Sequence, residues 1–253
     1  MDSVAALAYI IVFLFGIAVG SFLNVCILRI PAGESIVAVP SHCMACGRRL
    51  RWYELIPIFS YLFLRGRCSA CGSRISAQYP LVEAANGALW CVLFRRFGPA
   101  PDFFLACLLC SSLLVLSVID ARTREIPPGV NWFILALGAV RVFWHLSDWP
   151  QYAAGFFAVS IPLLLILLIS RGRGIGGGDV KLMAACGLFL GWKLAILAFF
   201  LGCILGTLVH LPLMAAKKAG RVLALGPYLA AGVFLALLWG DAALGWYLGL
   251  LIK

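Results

Sequence analysis

The chain has 253 residues, of which 64% are hydrophobic and only 12% are charged. A soluble domain usually carries about 25% charged and about 45–50% apolar residues. This excess of apolar residues excludes a soluble globular, disordered or collagen-like chain and predicts an integral membrane protein. The formal net charge of +10 does not indicate nucleic-acid binding, because the basic residues of a membrane protein first report the orientation of its loops.

Apolar stretches recur along the chain, and a helix needs about 20 apolar residues to span the hydrocarbon core of a membrane. Seven clear stretches are found at 4–28, 81–97, 103–120, 130–146, 151–170, 193–215 and 226–251. A further apolar stretch over 180–190 is too short to cross alone at about 1.5 Å per residue, which predicts a short, broken or re-entrant helix. The sequence therefore predicts an all-α polytopic membrane protein with about eight transmembrane helices.

Basic residues are concentrated in the loops that eight spans place on one side of the membrane. Most of the 20 lysines and arginines fall in the segments 29–80, 121–129, 171–179 and 216–225. Because loops rich in Lys and Arg stay in the cytoplasm, we expect these segments to be cytoplasmic and the N-terminus to be external.

The segment 31–80 is polar and rich in arginine, unlike the apolar stretches on either side of it. It divides the chain into a first transmembrane helix over 1–30, a cytoplasmic domain over 31–80 and a helical membrane domain over 81–253. A domain as short as 31–80 builds only a small apolar core, so a cross-link or a bound metal is expected.

Four cysteines of this domain form two Cys-x-x-Cys pairs, each followed by glycine and separated by 25 residues: Cys43, Cys46, Cys68 and Cys71. Such a turn places two thiolates on one edge of a tetrahedron, and the glycine accepts the tight backbone. Two pairs predict a closed, structural four-cysteine zinc site. Iron, free thiols and two disulfides are the alternatives, and the reducing cytoplasm disfavours disulfides.

Two acidic residues are predicted at the cytoplasmic ends of membrane helices. Asp120 ends the apolar run 113–119, and Asp179 opens the short helix over 180–190. A carboxylate at membrane depth is costly and usually functional. Two carboxyl groups that share a site hold one proton between them, as in aspartic proteases. We expect Asp179, at a helix N-terminus, to be the base and Asp120, at a helix C-terminus, to be the acid.

A structural interpretation of these acids is the alternative: one of them caps a helix and the other pairs with Arg122 or Lys181. The glycines before Asp179, including Gly176 and Gly178, favour the functional interpretation because they let a substrate chain approach the backbone. A phosphate-binding loop is excluded, since Asp179 would repel phosphate and no Gly-Lys-Ser or Gly-Lys-Thr follows.

Three polar residues inside predicted spans have two interpretations each. Asn24 and Asn86 are expected to form hydrogen bonds between helices, or else to contact the substrate or assist methyl transfer. Glu83, near the start of the second span, is expected either to pair with a loop arginine or to contact the substrate.

Taken in order, these motifs resemble those of the bacterial type IV prepilin peptidase family. Residues 20–25 with 29–31 resemble the first-span signature of that family, and the two Cys-x-x-Cys pairs resemble its cytoplasmic zinc domain. Ile119-Asp120 followed by Ile126-Pro127 resembles its first aspartate motif. Gly176-x-Gly178-Asp179-x-Lys181 is the GxGD motif, which presenilin-like proteases share in outline.

The resemblance implies a bifunctional enzyme of the bacterial inner membrane. Such enzymes cleave the leader of type IV prepilins and of type II secretion pseudopilins after a glycine at the cytoplasmic face. They then methylate the new N-terminus with S-adenosylmethionine. The implied partners are these substrates and membrane lipids.

The resemblance also implies roles for individual residues. Asp120 and Asp179 fall on the catalytic pair, and the four cysteines fall on the ligands of a structural Zn²⁺ in a domain associated with methyl transfer. Residues expected to support the substrate or its loop are Gly176, Gly178, Lys181, Glu83 and Asn24.

Two other functions compete with a membrane peptidase. A transporter could use the two aspartates as a proton relay, but the sequence lacks the internal repeat that this predicts. A non-enzymatic assembly protein could use the cysteine domain for docking, but it would leave the acid pair without a role.

Overall fold

The computed structural model describes residues 3–215 and 223–251. Within these ranges the chain is helical, and its only β-type pairings are two isolated bridges. The helices are α1 (Ser3–Ala32), α2 (Phe59–Phe63), α3 (Gln78–Phe97), α4 (Pro101–Thr123), α5 (Pro128–Trp144), α6 (Trp149–Ile169), α7 (Gly177–Leu190), α8 (Trp192–Ala215) and α9 (Gly226–Leu251). The predicted loop 216–225 falls largely outside the described residues, as do Lys217, Lys218 and Arg221 within it.

Each of the predicted spans coincides with one long helix, and the short helix predicted over 180–190 is α7. By length and composition, five helices of the described residues could cross a membrane: α1, α4, α6 (with the turn before it), α8 and α9. Helix α5 has only 17 residues, and α3 carries Glu83, Asn86 and two arginines. The prediction of an all-helical, multi-pass membrane protein is therefore confirmed.

The chain forms two compact units, Met1–Cys107 and Leu108–Lys253. In the first unit α1 packs against α3 through small residues. A Cβ on Gly16 would lie 2.7 Å from the Cα of Gly87, and a Cβ on Gly20 would lie 2.7 Å from the Cα of Glu83. Only glycine permits this approach, which is typical of helix pairs in membranes.

Two asparagines join the same helix pair by hydrogen bonds. The Asn86 side chain donates to the backbone carbonyl of Gly16 at 2.7 Å. The Asn24 amide donates to the carbonyl of Tyr79 at 3.1 Å, and its oxygen accepts from Gln78 at 3.2 Å. The expected interhelical hydrogen bonds are thus formed by both residues.

In the second unit α7 lies among α5, α6 and α8. Leu182, Met183 and Cys186 on α7 are fully buried, as expected of a helix that is apolar on all sides. A Cβ on Gly187 would lie 2.1 Å from the carbonyl oxygen of Gly155 on α6. Because protein surrounds α7, it need not match the thickness of the lipid core.

Candidate active site and metal centre

Asp179 lies in the first turn of α7, three residues after the N-cap residue Gly176. Its carboxylate accepts a hydrogen bond from the backbone N–H of Gly176, which satisfies one of the free donors at the helix start. A Cβ on Gly176 would lie 3.1 Å from this carboxylate, whereas a Cβ on Gly177 would meet nothing within 4 Å. Glycine at position 176 therefore leaves room for the Asp179 carboxylate, whereas position 177 is not restricted in this way.

Gly178 joins the segment before Asp179 to the loop that follows α4. A Cβ on Gly178 would lie 2.9 Å from the Cβ of Ile126, so the α4–α5 loop rests directly on the backbone at the start of α7. The amide of Asn131 on α5 also donates to the Gly178 carbonyl at 3.4 Å. The two aspartate motifs therefore contact each other through their neighbouring residues.

Asp120 lies near the end of α4 and is 4% exposed. The backbone N–H of Gly226, the first residue of α9, donates to its carboxylate at 2.9 Å. A Cβ on Gly226 would lie 2.7 Å from the same carboxylate. Sequence reasoning missed Gly226, although glycine followed by Pro227 at a helix start was an available signal.

The second unit thus brings Asp120 and Asp179 together from α4 and α7. The two carboxyl groups are close enough for the charge of Asp120 to act on Asp179. Asp179 is partly exposed, and Lys181 in the same turn of α7 is exposed. The result is a buried carboxyl group, that of Asp120, and a half-buried one, that of Asp179, each accepting one backbone N–H at the start of a helix.

The four cysteines of the segment 31–80, the predicted cytoplasmic domain, also meet in space. Their sulfur atoms all lie within 4.8 Å of one another, and the sulfurs of Cys43 and Cys71 are 3.9 Å apart. In a tetrahedral site with Zn–S bonds of about 2.3 Å, neighbouring sulfurs are separated by about 3.8 Å. The four sulfurs therefore fit one Zn²⁺ ion. The backbone N–H groups of Cys46 and Ala45 lower the pKa of the Cys43 thiol to about 6, whereas the adjacent Cys43 and Cys71 sulfurs contribute to raising the pKa of Cys46 to about 11.

Residues 41–50 and 66–75, the first and second knuckle, repeat one another in hydrogen bonding. In the first knuckle Cys43 N–H donates to Arg48, Gly47 to Cys43 and Leu50 to Ser41. In the second, the equivalent bonds join Cys68 to Ser73, Gly72 to Cys68 and Ile75 to Gly66, all at 2.8–2.9 Å. Gly47 and Gly72 both have a φ of +70°, which explains the glycine after each pair. The predicted repeat is therefore a repeat of structure.

Glu54 ties the two knuckles together, a role that sequence reasoning missed. Its carboxylate accepts from the backbone N–H of Arg51 at 2.7 Å, from the Ser69 hydroxyl and from the Arg48 guanidinium at 2.6 Å. Arg48 belongs to the first knuckle and Ser69 to the second. These donors, led by the Arg51 N–H, lower the pKa of Glu54 to about 2. The side chain is buried, and no local pattern predicts a partner this distant in sequence.

Glu83 on α3 is buried and binds backbone, not an arginine. Its carboxylate accepts from the N–H of Ile58 at 2.7 Å and from the hydroxyl of Ser21 on α1. Of the two expectations for Glu83, the arginine pair is not formed in the part of the chain that the structure describes, where the ion pair is Arg48–Glu54. Glu83 instead fixes the loop before α2 to the α1–α3 pair.

Fold and site together define a helical membrane protein with a pair of carboxyl groups at helix ends, a class that includes membrane aspartic peptidases. Comparison with known proteins agrees with this class. Residues 14–97 match the family described as the bacterial peptidase A24 N-terminal domain, and residues 107–211 match the type IV leader peptidase family.

Curated relatives match over nearly the whole chain, and each is named prepilin leader peptidase/N-methyltransferase. The protein from Bacillus subtilis is 38% identical over 244 residues, which cover 94% of this chain and 97% of the relative. The protein from Pseudomonas putida is 35% identical over 89% of this chain and 88% of its own length. No solved structure matches. The chain therefore belongs to the type IV leader peptidase family and is an enzyme, and the predicted resemblance is confirmed.

Proposed function

We propose that this protein cleaves the leader peptide of type IV prepilins and pseudopilins after a glycine and then methylates the new N-terminus. The proposed cleavage is supported by one observation: Asp120 and Asp179 lie near each other, at helix ends in one compact unit. The names of the relatives support both the substrate class and the methyl transfer.

In the proposed reaction the two aspartates act as one unit that holds a single proton. Asp179, the more exposed carboxyl group, takes a proton from water, whose oxygen attacks the carbonyl carbon of the scissile peptide bond. Asp120 donates a hydrogen bond to the carbonyl oxygen and so stabilises the negative charge that develops there. Collapse of the tetrahedral intermediate breaks the C–N bond, and the leaving amine receives a proton from the pair.

The proposed location is the bacterial inner membrane, with eight spans, an external N-terminus and an active site at the cytoplasmic face. The positions of arginines support this orientation. Arg122 and Arg124 follow Asp120, and Arg171 and Arg173 precede Asp179, and arginine-rich loops stay on the cytoplasmic side.

The proposed cofactors are a structural Zn²⁺ and S-adenosylmethionine. Cys43, Cys46, Cys68 and Cys71 would hold the metal, which would fix the two knuckles against each other and leave no open position for catalysis. S-adenosylmethionine would supply the methyl group, in association with the domain 31–80. Gly176 leaves room for the Asp179 carboxylate and Gly178 admits the Ile126 side chain, so both would support the loop at the active site, and the exposed Lys181 would contact the substrate. Glu83 and Asn24 support the fold around the cysteine domain.

The deciding experiment incubates a prepilin with the wild type, Asp120→Asn and Asp179→Asn in detergent or membranes. Loss of a catalytic carboxylate reduces turnover by about 10⁴-fold, so we expect no detectable cleavage by either variant. Asp148→Asn is the matched control, because Asp148 is an exposed acid before α6. Full processing by Asp120→Asn or Asp179→Asn would remove the assignment. Mass spectrometry of the mature pilin N-terminus reports the cleavage site and the methyl group together.

The metal assignment has its own test. Cys43→Ser removes one of four ligands, and we expect zinc content to fall and residues 31–80 to lose protection from hydrogen exchange. Cys203→Ser, outside the domain, is the control. Unchanged zinc content in Cys43→Ser would contradict the four-cysteine site.

A further inference from the structure

The domain 31–80 is polar in its overall composition, but one part of it exposes large apolar side chains. Between the knuckles lie residues 52–63, which we call the aromatic segment and which include the 3₁₀ turn Trp52–Leu55 and helix α2. Six of its large apolar side chains are between 41% and 84% exposed: Trp52, Leu55, Ile56, Phe59, Leu62 and Phe63. Large apolar side chains that are this exposed, and that lie this close together in the chain, are typical of an interaction site.

A strained turn fixes where this segment lies. Ile58 has a φ of 61° and a ψ of −53°, and the N–H of Phe59 donates to the carbonyl of Pro57 at 2.6 Å, which is a γ-turn of the rarer, strained type. Such a conformation persists only where the surroundings hold it. The buried carboxylate of Glu83 holds it here by accepting the Ile58 N–H at 2.7 Å.

Glu83 places the turn beside the α1–α3 pair and not beyond its end. Glu83 is the sixth residue of α3, which begins at Gln78, so it lies about 7.5 Å along the helix axis from that end. It also binds Ser21 of α1. From Ser3 to Ser21 that helix rises about 27 Å, close to the roughly 30 Å thickness of the hydrocarbon core. With the lipid core beginning near the start of α1, the turn would lie level with its opposite edge.

The charge around the aromatic segment is complementary to anionic lipid. Five exposed arginines lie on either side of it in the sequence: Arg49, Arg51, Arg65, Arg67 and Arg74. Between residues 35 and 77 the only acid is Glu54, which is buried and paired with Arg48. The domain remains basic even with the two negative charges of a zinc tetrathiolate. Aromatic side chains flanked by arginine are typical of segments that lie in a membrane interface.

We propose that the aromatic segment lies in the interface of the membrane leaflet next to the domain 31–80. Its apolar side chains contact acyl chains, and the flanking arginines contact anionic headgroups. The domain 31–80 is then not wholly extramembrane, because it has a membrane contact of its own between α1 and α3. The buried Glu83 is the positioning residue that holds the segment at this depth. This inference concerns only the first unit and does not depend on the proposed reaction.

Photo-crosslinking in the full-length protein tests the proposal. Benzoylphenylalanine is introduced at Phe63 or, as a matched control, at Met44, which is similarly exposed in the same domain but lies in the first knuckle. Each protein is irradiated in nanodiscs that contain phosphatidylglycerol and phosphatidylethanolamine, and adducts are identified by mass spectrometry. We expect phospholipid adducts at Phe63 to exceed those at Met44 on the order of tenfold.

Equal lipid adducts at both positions, or adducts at Phe63 only to a second copy of the chain or to added prepilin, would overturn the proposal.

Two further experiments test the roles of the arginines and of Glu83. Replacing phosphatidylglycerol by phosphatidylcholine should lower the adduct yield at Phe63 several-fold, and an unchanged yield would contradict the role of the arginines. Glu83→Ala should also lower the yield, with Glu34→Ala, an exposed acid outside the segment, as its control. An unchanged yield in Glu83→Ala would contradict the positioning role.

Discussion

The four cysteines and the two aspartates are brought together over very different distances in the chain. Each pair of cysteines is formed by one local turn, and three equivalent backbone hydrogen bonds close each knuckle. Asp120 and Asp179 meet only because the α4–α5 loop, α7 and α9 pack against one another, with glycines at the contacts. The two halves of the first site are therefore built by local turns, whereas the second site depends on close helix packing.

Removal of the metal should produce the largest difference in stability between the two regions. Structural zinc contributes on the order of 10 kcal/mol to the folding of small domains, so a chelator should greatly increase amide hydrogen exchange in 41–50 and 66–75. Helix α7 should keep its protection, because its neighbours α5, α6 and α8 belong to the second unit. The measurement is hydrogen exchange of the full-length protein in detergent, with zinc restored as the control. An equal loss of protection in α7 would show that the regions are not independent.

The substitution Gly187→Ala should have the opposite effect: it should destabilise the helices around α7 and leave the cysteine knuckles unchanged. Its Cβ would lie 2.1 Å from the carbonyl oxygen of Gly155, so α6 and α7 must move apart, at a cost of about 3 kcal/mol or more. We expect lower thermal stability and loss of prepilin cleavage with unchanged zinc content. Gly245→Ala is the control, because a Cβ there meets nothing within 4 Å. A fully active, equally stable Gly187→Ala protein would mean that α6–α7 contact does not position Asp179.

Glu54 offers a smaller perturbation inside the cysteine domain. Glu54→Gln weakens hydrogen bonds from charged and polar donors, and we expect the domain to lose about 1–3 kcal/mol of stability. Glu34→Gln, at an exposed acid, should have no effect. The readout is hydrogen exchange of residues 41–75 with zinc bound.

The effect of Glu54 should also depend on pH. Its pKa is lowered from the ordinary 4.5 to about 2, so the unfolded chain binds a proton more readily than the folded one does. The contribution of Glu54 to the free energy of unfolding is therefore complete above about pH 4.5 and declines as the pH falls toward about 2. The stability difference between the wild type and Glu54→Gln should be constant from neutral pH down to that point and shrink below it. A difference that grows on acidification would contradict the assignment.

The same contrast explains what the sequence could predict. The positions of the helices follow from the lengths of the apolar stretches, and each Cys-x-x-Cys-Gly pattern predicts one local turn. Both were therefore recognisable without a structure. The contacts of Gly226 with Asp120, of Glu54 with Ser69 and of Glu83 with Ile58 were not. Each joins a side chain to a distant donor, most often a backbone N–H that any residue could supply, so residue identity carries no signal for the pairing.

The far end of α7 provides the mildest test of how packing fixes the aspartate pair. The Arg141 guanidinium donates to the Phe189 carbonyl at 2.9 Å and lies over the Phe189 ring at 4.6 Å, so it satisfies a carbonyl in the last turn of α7. Arg141→Lys keeps the charge but loses the planar stacking, and we expect a loss of about 1 kcal/mol in stability. Arg173→Lys, at an exposed arginine, is the control. The change acts on the end of α7 opposite Asp179, so the rate of cleavage should fall only to the extent that the whole of α7 shifts. An unchanged rate with lowered stability would show that the contacts at the N-terminus of α7 alone set the position of Asp179.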